Sequence, residues 1–294
     1  MSATIINGKN VAAEIRADLK KEVELLKSQN KVTPGLAVIL VGDNPASKSY
    51  VTAKEKACDE IGIYSCDNRL PESTTEEELI ALINKLNARE DIHGILVQLP
   101  LPKHIDENKI IMAIAPEKDV DGFHPVNLGR LVIGQKAFIP CTPNGIVQML
   151  VRSGITLDGA HVVIVGRSNI VGKPLLNLLI QKATSGNATV TLCHTHTRNL
   201  AYYTRQADIL IAAAGHPNTI TADMVREGAV VIDVGVNRIE DAESPKGYHL
   251  AGDVDFENVR EVASAITPVP GGVGPMTITM LLYNTVESAR NHIC

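Results

Sequence analysis

The chain has 294 residues, 45% of them hydrophobic and 21% charged, which is ordinary for a globular protein and long enough for two domains. A formal charge of −5 argues against a nucleic-acid-binding surface as the main function, and 3% aromatic residues with no tryptophan argue against a base-stacking platform. No apolar run approaches the roughly 18 residues of a membrane span, and MSATIINGKN turns polar too early for a secretory signal, so the cytosol is the expected compartment.

In chain order, a first buried strand is predicted over residues 35–42, reading GLAVILVG, and a helix over 45–61 that stops at Gly62. Thr75 and Glu78 have capping-box spacing ahead of the helical EEELIALINKLN. A second buried strand, GILVQL at 94–99, is closed by Pro100 and Pro102, and a break follows over 116–125 containing EKDVDGFHP. Thr142 as N-cap and Pro143 at the first helical position open a helix reaching about Ser153. Strands at 161–165, 188–193, 209–213 and 230–234 alternate with helical segments from Val171 onward, the rhythm of a doubly wound nucleotide-binding domain. A long helix over 275–291, apolar on one face, exceeds what that domain needs and is expected to return onto the first.

The fold class is therefore α/β. It comprises two α/β domains, the second a Rossmann-like doubly wound parallel sheet, with a C-terminal helix returning to the first domain. The expected boundaries are 1–145 completed by 277–294 for the first domain and 146–276 for the second. The five cysteines, Cys58, Cys66, Cys141, Cys193 and Cys294, are widely spaced with no C-x-x-C pair. Neither a zinc site nor a disulfide framework is indicated, and no metal is expected.

Three stretches in the second half of the chain carry chemistry. PVPGGVGPMT at 268–277 combines three prolines with Gly271, Gly272 and Gly274, so it is a shaped loop in front of a helix N-terminus. It can present backbone N–H groups to a ligand, or serve as a tight turn. VVIVGRSNIVGKP at 162–174 sits between strand and helix, where a Rossmann domain seats pyrophosphate. Ser168 replaces the second glycine of G-x-G-x-x-G, which weakens the motif, while the Arg167 guanidinium suits bidentate phosphate binding. The next strand runs into His194-Thr-His-Thr-Arg198 with no carboxylate to hold a ribose 2′-hydroxyl, which favours NADP over NAD. A plain solvated loop is the alternative.

In the first half, Tyr50 and Lys54 share a helical face at i, i+4. Gln98 interrupts a buried apolar strand near its C-terminal end, where an unpartnered amide would cost roughly 1–3 kcal/mol. Asp121 lies on a D-V-D-G turn and serves either as a ligand carboxylate or in an Asx turn with Gly122. Together these groups would suit one cleft. The ring would stack on a flat heterocycle, the carboxylate would accept from its amino group, and desolvation would lower the pKa of a lysine held by an amide.

The ordered set Y-x-x-x-K at 50–54, V-Q-L-P at 97–100, D-x-D-G at 119–122, P-C-T-P at 140–143, G-R-S-x-x-V-G-x-P at 166–174 and P-G-G-V-G-P-M-T at 270–277 covers essentially the whole chain. It resembles the bifunctional methylenetetrahydrofolate dehydrogenase/methenyltetrahydrofolate cyclohydrolase family. The resemblance implies oxidation of 5,10-methylenetetrahydrofolate with NADP and hydrolysis of the product to 10-formyltetrahydrofolate. It implies Lys54, Gln98 and Asp121 as catalytic residues. Tyr50, Val97, Leu99, Pro270, Gly271, Gly272, Gly274 and Pro275 would join them on the folate. Gly166, Arg167, Ser168, Thr195 and Val236 would contact the cofactor; the family often has serine where Thr195 stands. A homodimer is also implied, with no nucleic-acid or membrane partner. The rival readings are an NAD-dependent dehydrogenase, a dehydrogenase without cyclohydrolase activity, and a non-catalytic dinucleotide sensor.

Overall fold

The computed structural model describes residues 2–293 except 242, 245 and 246, so Met1 and the cysteine at Cys294 lie outside the described residues. Its strands are β1 (Thr4–Ile5), β2 (Gly35–Val41), β3 (Tyr64–Leu70), β4 (Gly94–Val97), β5 (His161–Val165), β6 (Thr189–Cys193), β7 (Ile209–Ala212), β8 (Val230–Asp233), β9 (Asn237–Glu240), β10 (Tyr248–Ala251) and β11 (Ala265–Ile266). The chain divides into two compact units, Met1–Ala12 with Thr142–Thr277, and Ala13–Cys141 with Ile278–Cys294.

The second of these units holds a three-stranded parallel sheet in the order β3-β2-β4. Its centre, β2, is GLAVILV, buried at every residue, as a strand covered on both faces must be. The edge strand β3, YSCDNRL, has no fully buried residue, and its polarity gives it no apolar run. Helix Pro45–Ile61 packs on β2 and β3, and helix Glu76–Asn87 opens on the expected capping box between Thr75 and Glu78. Ile83, Leu86, Ile95, Ile110 and Ile114 belong to the apolar core beneath β4.

The expected return of the C-terminal helix is present. From Ile278 the helix belongs to this unit. The buried amide of Asn284 donates to Val120 O at 2.8 Å and Ile139 O at 3.0 Å, and Ser288 Oγ donates to Glu117 O at 3.0 Å. Gly94 permits that approach, because a methyl group there would crowd Val120 and Thr285.

The other unit is a six-stranded parallel sheet in the order β1-β11-β8-β7-β5-β6. The order runs one way from β5 to β6 and the other from β5 to β7, which is the doubly wound arrangement with its switch point at the C-terminal end of β5. β1 joins through a two-residue parallel pairing with β11, too short to register in the sequence. A separate antiparallel pair, β9 with β10, extends the loop after β8.

Three local expectations need correction. The last helix starts at Val273, not Pro275, so Gly274 and Pro275 lie in its first turn; a proline is tolerated there because the first four N–H groups have no intrahelical partner. The helix expected to be capped by Thr142 starts at Cys141, and the Thr142 hydroxyl pairs with Thr277 Oγ1 at 2.9 Å. Strand β4 ends at Val97, leaving Gln98 one residue past it, although Gln98 N still donates to Ile39 O at 2.8 Å.

Candidate active site

Lys54 stands on the inner face of helix Pro45–Ile61 with 8% of its surface exposed. Its Nζ donates to Gln98 Oε1 at 2.9 Å, and Gln98 Nε2 donates to Leu99 O at 2.6 Å. Both ends of the amide are thus engaged, and it presents a neutral acceptor to the amine. Burial pushes the Lys54 pKa below its usual value, while the Asp121 carboxylate opposes that shift. An amine shifted this way is more readily neutral than an exposed lysine, and a neutral amine can accept a proton. Tyr50, one turn earlier, is 44% exposed, with its ring open to a flat ligand.

The two carboxylates of D-V-D-G divide their roles. Asp119 is buried and accepts from His124 N at 2.8 Å, Asn127 Nδ2 at 2.9 Å and Phe123 N at 3.3 Å, so it takes the turn-building role that the sequence offered to Asp121. Asp121 takes no part in those bonds. Although part of its surface is open, the carboxyl is surrounded by protein, and burial raises its pKa to about 6 against the pull of Lys54. Gly122, at φ +77°, makes the tight turn beside Pro140 that a side chain would block. An apolar hollow lined by Val97, Leu99, Ile110 and Phe123 adjoins Asp119 and Asp121.

One member of this cluster escaped the sequence reading. Cys141 is buried and donates from Sγ to Val120 O at 3.3 Å; burial, and then the Asp121 charge, hold its thiol protonated. Its signal in the sequence is its place in P-C-T-P, a spacing that suits neither a disulfide nor a zinc site.

In the doubly wound unit, Gly166 follows β5 at φ +137°, and a methyl group there would overlap Ala213 O. Gly172 opens helix Gly172–Leu179 packed equally tightly against Gly166 O. Ser168 Oγ accepts from Val171 N at 3.1 Å and Gly172 N at 3.4 Å, which leaves its O–H as a donor at the helix N-terminus. Arg167 and Thr195 are exposed. His194 is pushed below its ordinary pKa by partial burial and then by the charges of Arg167 and His196. Val236 is exposed just after β8. The donors, the close backbone and the missing carboxylate fit a dinucleotide carrying a 2′-phosphate. Pro270 is exposed, whereas Gly271 and Gly272 are buried, with Gly271 O accepting from Lys9 N at 3.2 Å. That contact anchors the loop within its own unit.

The sequence profile described as "Tetrahydrofolate dehydrogenase/cyclohydrolase, catalytic domain" matches residues 6–121, and that described as "Tetrahydrofolate dehydrogenase/cyclohydrolase, NAD(P)-binding domain" matches residues 140–293. The chain belongs to this family. It carries both family domains and is a bifunctional dehydrogenase and cyclohydrolase of the tetrahydrofolate series. It is 62% identical over 290 residues to the "Bifunctional protein FolD" of Syntrophus aciditrophicus, covering 99% of this chain and 98% of that one. A crystal structure of the bifunctional FolD methylenetetrahydrofolate dehydrogenase/cyclohydrolase of Campylobacter jejuni superposes with TM-score 0.93 at 51% identity, covering 99% of this chain and all of that one. The FolD structure of Trypanosoma brucei, complexed with NADP cofactor and inhibitor, gives TM-score 0.94 at 40% identity over 100% and 99% of the two chains. No helix among the described residues is long and apolar enough to cross a membrane.

Proposed function

We propose that Lys54 carries the proton in the cyclohydrolase step, that Gln98 holds its amine in place, and that Asp121 anchors the folate. The hydrogen bond from Lys54 Nζ to Gln98 Oε1 carries this reading, because a buried amine with a depressed pKa and a neutral partner fits proton transfer better than an ion pair would.

The first reaction takes a hydride from the methylene bridge of 5,10-methylenetetrahydrofolate, leaving the methenyl cation. NADP+, when bound, supplies the hydride acceptor. This step asks the chain for alignment rather than for an acid or base. The Tyr50 ring stacks on the flat heterocycle, the Asp121 carboxylate accepts from its amino group and ring N–H, and Val97 and Leu99 line the site beside Gln98. The family resemblance assigns Pro270, Gly271, Gly272, Gly274 and Pro275 to the folate as well. Arg167, the Ser168 hydroxyl and Thr195 take the cofactor phosphates, with Arg167 and Thr195 on the 2′-phosphate; Gly166 lets the backbone approach, and Val236 offers a backbone contact.

In the second reaction water attacks the cationic methenyl carbon. Neutral Lys54 accepts the water proton, a C–O bond forms, and the lysine returns a proton to the ring nitrogen as the C–N bond opens to 10-formyltetrahydrofolate. One proton is released overall. Desolvation is what makes the amine neutral for part of each cycle.

A homodimer, which rests on the family resemblance, and the expected cytosolic setting complete the proposal. Mixing the protein with methylenetetrahydrofolate and NADP+ or NAD+ in parallel tests it. Methenyl absorbance should rise and then decay with NADP+, and a preference for NAD+ would contradict the reading of the Arg167 and Thr195 loops.

A further inference from the structure

Two aspartates that the reaction does not use, Asp233 and Asp253, are almost fully buried in the doubly wound unit, with 2% and 0% of their surface exposed. Carboxylates so placed are costly unless their oxygens are filled, and here backbone amides fill nearly all of them. Asp253 Oδ2 accepts from Ala214 N at 2.7 Å and Gly215 N at 2.8 Å, while its Oδ1 accepts from Asn237 Nδ2 at 2.9 Å. Asp233 Oδ1 accepts from Gly235 N at 3.0 Å and Asp253 N at 2.9 Å, and its Oδ2 accepts from Val254 N at 3.0 Å. Asp233 N in turn donates to Thr267 Oγ1 at 2.7 Å, immediately before the 268–277 loop. Methyl groups on Gly235 and Gly252 would overlap the Asp253 and Asp233 carboxylates respectively, so the backbone is wrapped directly around both.

The segments so tied are the ones that follow β7 and β8. In a doubly wound sheet, loops at the C-terminal strand ends next to the switch point face the ligand. The segment 213–215 is one of these, because Ala213 packs against the Gly166 turn and Ala213 N donates to Val165 O at 2.8 Å. Segment 234–237 carries Val236. Neither loop contains a carboxylate of its own, and the two are held in common by one side chain delivered from residue 253.

We propose that Asp253 is a cofactor-positioning residue, its carboxylate fixing the 213–215 and 235–237 segments in the geometry that receives NADP. This rests on the cofactor reading above. An asparagine at 253 keeps the volume but removes the charge, and with its oxygen on the Ala214 and Gly215 amides its N–H₂ meets the Asn237 N–H₂, which must turn over to accept it. The cyclohydrolase step needs no dinucleotide and provides an internal control.

The test compares full-length wild type, Asp253→Asn and Asn237→Ala in three measurements: NADP+ dissociation constant by calorimetry, dehydrogenase KM for NADP+ and for folate, and cyclohydrolase rate on methenyltetrahydrofolate. The expected result for Asp253→Asn is an NADP+ dissociation constant and KM raised at least about tenfold, for the loss of charge-assisted hydrogen bonds. Folate KM and cyclohydrolase rate should stay within about twofold of wild type, less than half of one such bond. Asn237→Ala, which removes only the outer arm, should raise the NADP+ constants about threefold. If Asp253→Asn does not fold, Asn237→Ala decides. Unchanged NADP+ binding, or equal losses in both activities, would overturn the proposal. Wild type that binds no NADP+ would instead overturn the cofactor reading on which it stands.

Discussion

Lys54 and Gln98 are 44 residues apart in sequence and 2.9 Å apart in the fold, amine to amide oxygen. The lysine comes from a helix packed on the sheet and the glutamine from the end of β4, so the pairing depends on the parallel register of β2 with β4. An amide in this position steadies the amine without a countercharge that would keep it protonated.

Replacing Lys54 by methionine preserves its length and apolar stem but removes the proton carrier. Cyclohydrolase activity should fall by about 10²–10⁴-fold, the usual worth of a general acid–base. Dehydrogenase turnover should be retained, and methenyl absorbance followed after single mixing reads both steps.

Gln98→Glu would set a carboxylate against the amine. That raises the Lys54 pKa, reduces the neutral fraction at any given pH, and moves the cyclohydrolase pH profile toward the alkaline side. A profile that stays in place would show that the lysine does not titrate in the rate-limiting step.

For Asp121 the folded pKa of about 6 stands above the ordinary 3.8. Ionisation is therefore disfavoured in the fold, and the resulting loss of stability sets in as pH rises from about 4 and is complete above about 6. Asp121→Asn should gain melting temperature relative to wild type between pH 4 and pH 8 while its folate KM rises. Equal differences at the two pH values would contradict the assignment of burial as the dominant cause.

Arg167→Ala should weaken NADP+ by about 10- to 100-fold, corresponding to a charged hydrogen bond of about 1.5–3 kcal/mol, with a smaller change for NAD+ and for folate. Parallel KM measurements check this, and an equal loss for NADP+ and NAD+ would argue against a 2′-phosphate contact.

The central strands and long helices were legible because they obey simple periodicities. GLAVILV is uninterrupted and apolar, and helix Pro45–Ile61 carries both of its predicted bounds. β3 escaped because an edge strand needs little apolar surface, and β1 because two residues hold no pattern. Within the site, Gln98 announced itself as a polar group in an apolar run. Cys141 did not, since a buried thiol looks like any small hydrophobe. The turn role was offered to Asp121 and taken by Asp119, as adjacent carboxylates on one turn differ only in which backbone amides fold back toward them. Asp253 was invisible for a related reason: its partners are main-chain N–H groups of distant loops, which carry no residue signature.

The most direct test is a stopped-flow comparison of wild type and Lys54→Met with methylenetetrahydrofolate and NADP+, recording reduced cofactor and methenyl absorbance together. The expected outcome is similar cofactor reduction in both proteins, with the methenyl signal transient in wild type and persistent in the variant. Equal decay of that signal in the two proteins would contradict the role given to the buried amine.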